Sequence, residues 1–347
     1  MSSFTKLCIE AFKSSKVKED ETIIIASDTV TKRTFTELAG PERVNAYKTA
    51  AEILGVNIYE IELPNPKGWT IGLDKYPYVL DAVSSADLLL HSTTGLLYSD
   101  AHNTALQAGK RSLMLLAPDS MIQRLFPNQK VKKRTLASAE LLEKAEEIRI
   151  RSDAGTDLTL NKKGRIGGAQ YGMADEPGRW DNICAGMVGT APLENSANGT
   201  LVINGGDIIL HEVTGRFVIE PIKCTIKDGY IRKIEGGTDA KLLKWFFAQF
   251  KDERSYGVSH IGWGLNDNAN WLNAGMNTET QYGTTLIAFG SNFLGVSAPH
   301  CGLGGKNKGP AHLDIGMRNV EFSLDGELVV SKDEKIVHPK ALSTDDE

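Results

Sequence analysis

Glycine is spread unevenly along this chain, and the unevenness limits what it can fold into. Of 34 glycines in 347 residues, 6 fall in residues 1–150 and 28 in residues 151–347. Glycine inside a helix or strand costs roughly 0.5–1 kcal/mol relative to alanine, so a segment this rich in it is built from short elements and tight turns. A length of 347 residues already suggests two domains. The glycines put the boundary near residue 148, giving a scaffold of residues 1–148 and a second domain of residues 149–347.

In the first half, short apolar runs alternate with stretches of helical spacing, the pattern of βα units around a parallel sheet. Thr22 to Ser27, Ile58 to Leu63, Asp87 to His91 and Ser112 to Leu116 read as strands. Pro41 to Leu54, Tyr98 to Ala108 and Thr135 to Ile148 read as helices. The expectation is a doubly wound α/β domain without a GxGxxG or GxxxxGK[ST] phosphate loop. The second half is expected to be largely antiparallel β, with strands in Arg149 to Leu160, Thr200 to Leu210, Phe217 to Ile234 and Val320 to Val330, and one amphipathic helix at Ala240 to Phe250. The fold class is thus α/β followed by α+β. The polar end, Ser343 to Glu347, is read as frayed.

Composition excludes several roles. With 39 Lys+Arg against 44 Asp+Glu and no dense basic block, the chain lacks the charge a general nucleic-acid binder uses to neutralise phosphates. No run approaches the roughly 18 to 20 apolar residues that span a bilayer, and no apolar stretch follows the first Met, so the chain is read as cytoplasmic, without a membrane partner. Cys8, Cys184, Cys224 and Cys301 show no CxxC spacing and read as free thiols.

The segment Pro310 to Ile315 carries the most chemistry. In a strand, alternate side chains share a face, so His312 and Asp314 point together while Leu313 and Ile315 point the other way. An imidazole beside a carboxylate is half a metal site, and His260, flanked by glycines in Ser259 to Gly264, is a candidate third ligand. Two His and one carboxylate leave coordination positions open, as in non-haem Fe(II) oxygenases. The alternative is plain: HxD pairs recur by chance, and a strand histidine is as readily a hydrogen-bonded core residue.

Longer strings add a resemblance. Ala174 to Asp181 (ADEPGRWD), Ser259 to Gly264 (SHIGWG), Gly304 to Asp314 (GGKNKGPAHLD), Gln107 to Leu116 and Gly206 to Leu210 closely resemble the 2,5-dihydroxypyridine 5,6-dioxygenase family, bacterial enzymes of pyridine catabolism related in fold to thermophilic metallo-aminopeptidases. The resemblance runs over nearly the whole chain. It implies Fe(II) held by His260, His312 and Asp314, a hydroxylated N-heteroaromatic substrate, cleavage of its ring with both atoms of O2, and a homo-oligomer.

Three positions depart from the family pattern. Two histidines of the family fall on Tyr98 and Asn182, and a glutamate falls on Gln170. Asn and Gln cannot act as general bases and an unperturbed Tyr has a pKa of about 10, so proton transfer needs another group or another substrate. His102, four residues after Tyr98, and His300 are candidate substitutes; their plainer readings are a solvated helix residue and a loop residue. Lys306 and Lys308 either attract an anionic ring or are ordinary exposed lysines, and Trp180 either walls an aromatic pocket or closes the core between domains. A two-metal hydrolase and a non-catalytic binder of metal or small molecules are the rival functions. The first needs extra bridging carboxylates, and His260 stands where an aminopeptidase-like motif would put an acid.

Overall fold

A computed structural model describes residues 2–28, 41–63, 76–92, 94–210, 215–272, 275–294 and 297–342. The polar end at 343–347 lies outside them. Among the described residues, three sheets organise the chain.

The first sheet is parallel, with neighbouring strands Asn57–Leu63, Thr22–Asp28, Leu88–His91, Arg111–Met114 and Trp180–Asn182. Its central strands, Thr22–Asp28 and Leu88–His91, are largely apolar without alternation because helices cover both faces. Ile23, Ile25, Leu88 and Leu90 pack with Cys8, Val44 and Met121 on one side, whereas Ile24, Ala26 and Leu89 meet Val79 and Ala105 on the other. The fifth strand, Trp180–Asn182, arrives from far along the chain, so this sheet is completed by residues beyond 148.

The other two sheets are antiparallel. One runs Tyr230–Gly236, Ile222–Lys227, Asn198–Ile203, Asp157–Asn161, Glu147–Ser152, Val320–Leu324, Glu327–Val330. The next runs Arg216–Phe217, Ile208–Leu210, His312–Met317, Thr285–Gly290, Val258–Gly264, Met187–Thr190, Gly168–Gln170. They share one core in which Ile148, Ile150 and Leu201 of the first lie with Ile261, Trp263, Leu313 and Ile315 of the second. The other face of the second sheet carries His260, His312 and Asp314 beside a small apolar cluster of Met187, Ile208, Leu210 and Leu286. Among the described residues no helix is long and apolar enough to cross a membrane, and all four cysteines are free and buried.

Several expected elements are divided or moved. The Thr200 to Leu210 run breaks at Asn204–Asp207, where Gly206 has φ +93° and Asp207 Oδ2 accepts from Asn204 N at 2.7 Å; its two pieces enter different sheets. The helix expected at Thr135 to Ile148 spans Gln129–Lys144, capped by the Asn128 side chain accepting from Val131 N. Its last carbonyls are met by buried Lys162, whose Nζ donates to Leu142, Glu143 and Ala145 carbonyls at 2.6, 3.0 and 3.0 Å. The chain can therefore leave the helix and enter the strand Glu147–Ser152 without orphaned carbonyls. The helix expected at Tyr98 to Ala108 is Asp100–Gln107, with Ser99 as its N-cap, so Tyr98 precedes the helix.

Candidate metal centre

His260 lies on Val258–Gly264, and His312 and Asp314 lie on His312–Met317, with Thr285–Gly290 between these strands. Period-2 alternation sends Leu313, Ile315, Ile261 and Trp263 into the core and turns His312, Asp314 and His260 to the opposite face. Pairing with the central strand shifts register between Val258 and Ile261, a bulge that includes His260 and re-aims it. Close approach of the strands depends on glycine: a Cβ on Gly262 would overlap the Val188 carbonyl, and one on Gly290, opposite His312, would overlap the Ala311 carbonyl. Gly262→Ala is therefore expected to cost about 3 kcal/mol and to weaken metal binding in parallel. Urea unfolding and anaerobic metal titration check this, and a variant within 0.5 kcal/mol of wild type would contradict it.

The three ligand atoms, one from each residue, all lie within 4.8 Å of one another, and all three residues are buried. His260 Nε2 is 3.0 Å from Asp314 Oδ1, His312 Nε2 is 3.2 Å from Asp314 Oδ2, and the two Nε2 atoms are 3.4 Å apart. His312 Nδ1 donates to the Ser291 carbonyl at 2.7 Å, which in the neutral ring leaves Nε2 as a lone pair. Burial holds the His260 pKa below the ordinary histidine value, despite the pull of Asp314, and so favours neutral imidazole. Burial acts against charge on Asp314, yet the two histidines outweigh it and hold its carboxyl well below the usual range. Two imidazole nitrogens and a carboxylate at these distances need positive charge among them, supplied either by protons on the imidazoles, as the lowered Asp314 carboxyl reflects, or by a metal ion that replaces those protons. His260 Nδ1 and Asp314 Oδ1 are also buried without a hydrogen-bond partner, Oδ1 lying near His260 Nε2 but outside hydrogen-bond geometry. This donor set fits a divalent metal with three open positions.

The three residues open into a narrow cavity of about 50 Å³. Its walls come from both halves of the chain. Met114 and Asn182 line it from the carboxyl ends of their parallel strands, where open α/β sheets bind ligands, joined by Tyr98 and by Trp180 at the start of its strand. Gln170 lines it too. Tyr98 Oη is 3.1 Å from His312 Nε2, and burial with the charges of Asp314 and Glu279 pushes its phenol well above the ordinary tyrosine value. The amide of Asn182 is already engaged: Nδ2 donates to Met276 Sδ at 2.9 Å, and Oδ1 accepts from Cys184 N at 3.3 Å. The Trp180 indole Nε1 is buried without a hydrogen-bond partner.

Three candidates from the sequence stand elsewhere. His102 does not line the cavity; its ring meets His91 edge-on at 5.6 Å inside the α/β half, and burial pushes its pKa down to about 3. The helical pairing with Tyr98 fails because the cap at Ser99 separates them. His300 is held by the Gly167 carbonyl and Glu143 at 3.0 and 3.1 Å, away from the cavity lining. Lys306 is exposed in a loop whose backbone N–H donates to Glu194. Conversely, the cavity is lined by Glu279, on the short helix Met276–Thr280, which no spacing or motif had singled out.

The family model described as NicX, 2,5-dihydroxypyridine 5,6-dioxygenase, matches residues 3–337. A 2,5-dihydroxypyridine 5,6-dioxygenase from Pseudomonas putida KT2440 is 35% identical over 340 residues, covering 94% of each chain. A solved structure of 2,5-dihydroxypyridine dioxygenase from the same organism superposes with a TM-score of 0.85 at 32% identity, over 97% of this chain and 98% of that one. AmpT from Thermus thermophilus superposes with a TM-score of 0.60 at 12% identity over 98% of each chain, a likeness of fold alone. Match along almost the full length, in sequence and in architecture, places this chain in the 2,5-dihydroxypyridine 5,6-dioxygenase family.

Proposed function

We propose that this protein is an Fe(II)-dependent dioxygenase that opens the ring of a hydroxylated pyridine or related N-heteroaromatic, inserting both atoms of O2. The observation that carries the reading is the convergence of His260, His312 and Asp314 on one cavity. Iron bound there would supply open positions for a ring oxygen and for O2, and would remove the spin barrier between them.

The residues of the chain do the rest. Leu97, Met114, Leu116 and Met187 give the cavity an apolar lining that excludes water. Trp180 and Tyr98 supply flat walls for an aromatic ring, and holding it in one pose turns an encounter into a near-unimolecular step. Tyr98 keeps its proton on Oη at neutral pH and can donate to a ring oxygen. Gln170 offers both amide donors and an acceptor without changing charge.

Anaerobic reconstitution tests the reading. A single Fe(II) per chain and uptake of one O2 per ring opened, with 2,5-dihydroxypyridine and its hydroxylated relatives as the panel, are expected. Two metal ions per chain with peptide hydrolysis, or binding without oxygen uptake across the panel, would overturn it in favour of a hydrolase or a binder. We also propose a cytoplasmic homo-oligomer, which light scattering in solution and fractionation of cells check.

A further inference from the structure

Among the residues lining the cavity, Asn182 and Gln170 carry amides that cannot take up a proton, and Tyr98 keeps its own. Glu279 faces the same space. Its helix is pinned on both sides. Gly275, at φ +103°, turns the chain into it; Asn277 Oδ1 accepts from Arg124 and from Asn270 N at 2.8 and 3.0 Å; and the Thr280 carbonyl accepts from Leu265 and Asn266 N–H at 3.0 and 2.8 Å. On the sheet side, Thr278 packs against Gly316, where a Cβ would collide with it. Every neighbour of Glu279 in this helix is engaged, whereas its own carboxyl forms no hydrogen bond or ion pair among the described residues. A carboxyl fixed at a cavity wall with nothing in the protein to hold it is positioned for something that enters the cavity.

We propose that Glu279 is the proton acceptor for the bound ring. This rests on the ring-cleaving reading above. In the step, the O–H bond of a ring hydroxyl breaks, its electron pair stays on the ring oxygen, and the proton passes to a Glu279 carboxylate oxygen. No oxidant or reductant takes part. The other titratable groups facing the cavity are Tyr98 in the segment before helix Asp100–Gln107, His260 on its strand, and His312 and Asp314 on theirs.

The test uses enzyme loaded with Zn(II), in which the ring stays intact, and follows the absorbance of bound 2,5-dihydroxypyridine between pH 5.5 and 9. Glu279→Gln cannot take the proton, so the bound ring is expected to ionise about one pH unit or more higher than in wild type. In the Fe(II) enzyme kcat should fall roughly 100-fold and the acid limb of kcat/KM should disappear. Glu279→Asp should restore part of both effects, and it carries the test if the glutamine variant fails to fold. Unchanged ring ionisation together with kcat within twofold of wild type overturns the role of Glu279 while leaving the ring-cleaving reading in place. If wild-type protein neither binds nor opens any ring of the panel, that reading falls and the proposal falls with it.

Discussion

Asp314→Asn is expected to abolish stoichiometric metal binding while the protein stays folded. The substitution keeps the size of the side chain but replaces a charge by a dipole, 3.0 and 3.2 Å from the two imidazole nitrogens that complete the donor set. One unit of charge at about 4 Å is worth roughly 4 kcal/mol at an effective dielectric of 20. A divalent ion feels at least that, so affinity should fall about a thousandfold or more. Anaerobic titration followed by metal analysis reads the loss, and turnover should vanish in proportion. A variant that still binds a single metal ion with wild-type affinity would remove Asp314 from the donor set. Binding should also fail in acid, because protons compete for His260 and His312 nitrogens, so affinity drops as pH falls and never the reverse.

Asp181→Ala carries the largest expected loss of stability. Arg179 and Asp181 are both fully buried. The guanidinium donates to Asp181 Oδ2 from Nη2 at 2.8 Å and from Nε at 3.2 Å, lies 3.6 Å over the Tyr171 ring, and reaches the Met173 carbonyl at 3.2 Å. Asp181 in turn accepts from the backbone N–H of Tyr171, Gly172 and Asn182 at 3.1, 2.9 and 2.8 Å. Removing the carboxylate strands a buried cation and three N–H groups, at a cost of about 3–5 kcal/mol. Urea unfolding measures it, and a loss below 1 kcal/mol would contradict the role. Because Trp180 and Asn182 flank Asp181 and line the cavity, ring affinity should fall with stability.

What could be read from the sequence follows a physical line between local and long-range determinants. That His312 and Asp314 share a face is a property of any strand and needs no tertiary information. The parallel sheet was legible because strands covered on both faces leave unbroken apolar runs such as Thr22 to Ser27. His102 misled because helical spacing counts only inside a helix, and with Ser99 as its cap that helix starts at Asp100, two residues after Tyr98. Glu279 was invisible for the opposite reason. Five helical residues carry no periodicity, and their approach to the cavity is set by Asn277 and Thr278, whose partners Arg124 and Gly316 lie far away in the chain.

The strand Trp180–Asn182 also has a consequence for how the protein is made. As the chain leaves the ribosome, Arg111–Met114 emerges with its outer edge unsatisfied, and its partner follows only after roughly 65 more residues. At about 5–20 residues per second that gap lasts roughly 3–13 s. An open parallel edge invites pairing with another chain, so the interval is one in which nascent copies on a crowded polysome can cross-associate. Slow translation between residues 115 and 180 should therefore lower the yield of soluble enzyme, although it changes no residue of the finished protein.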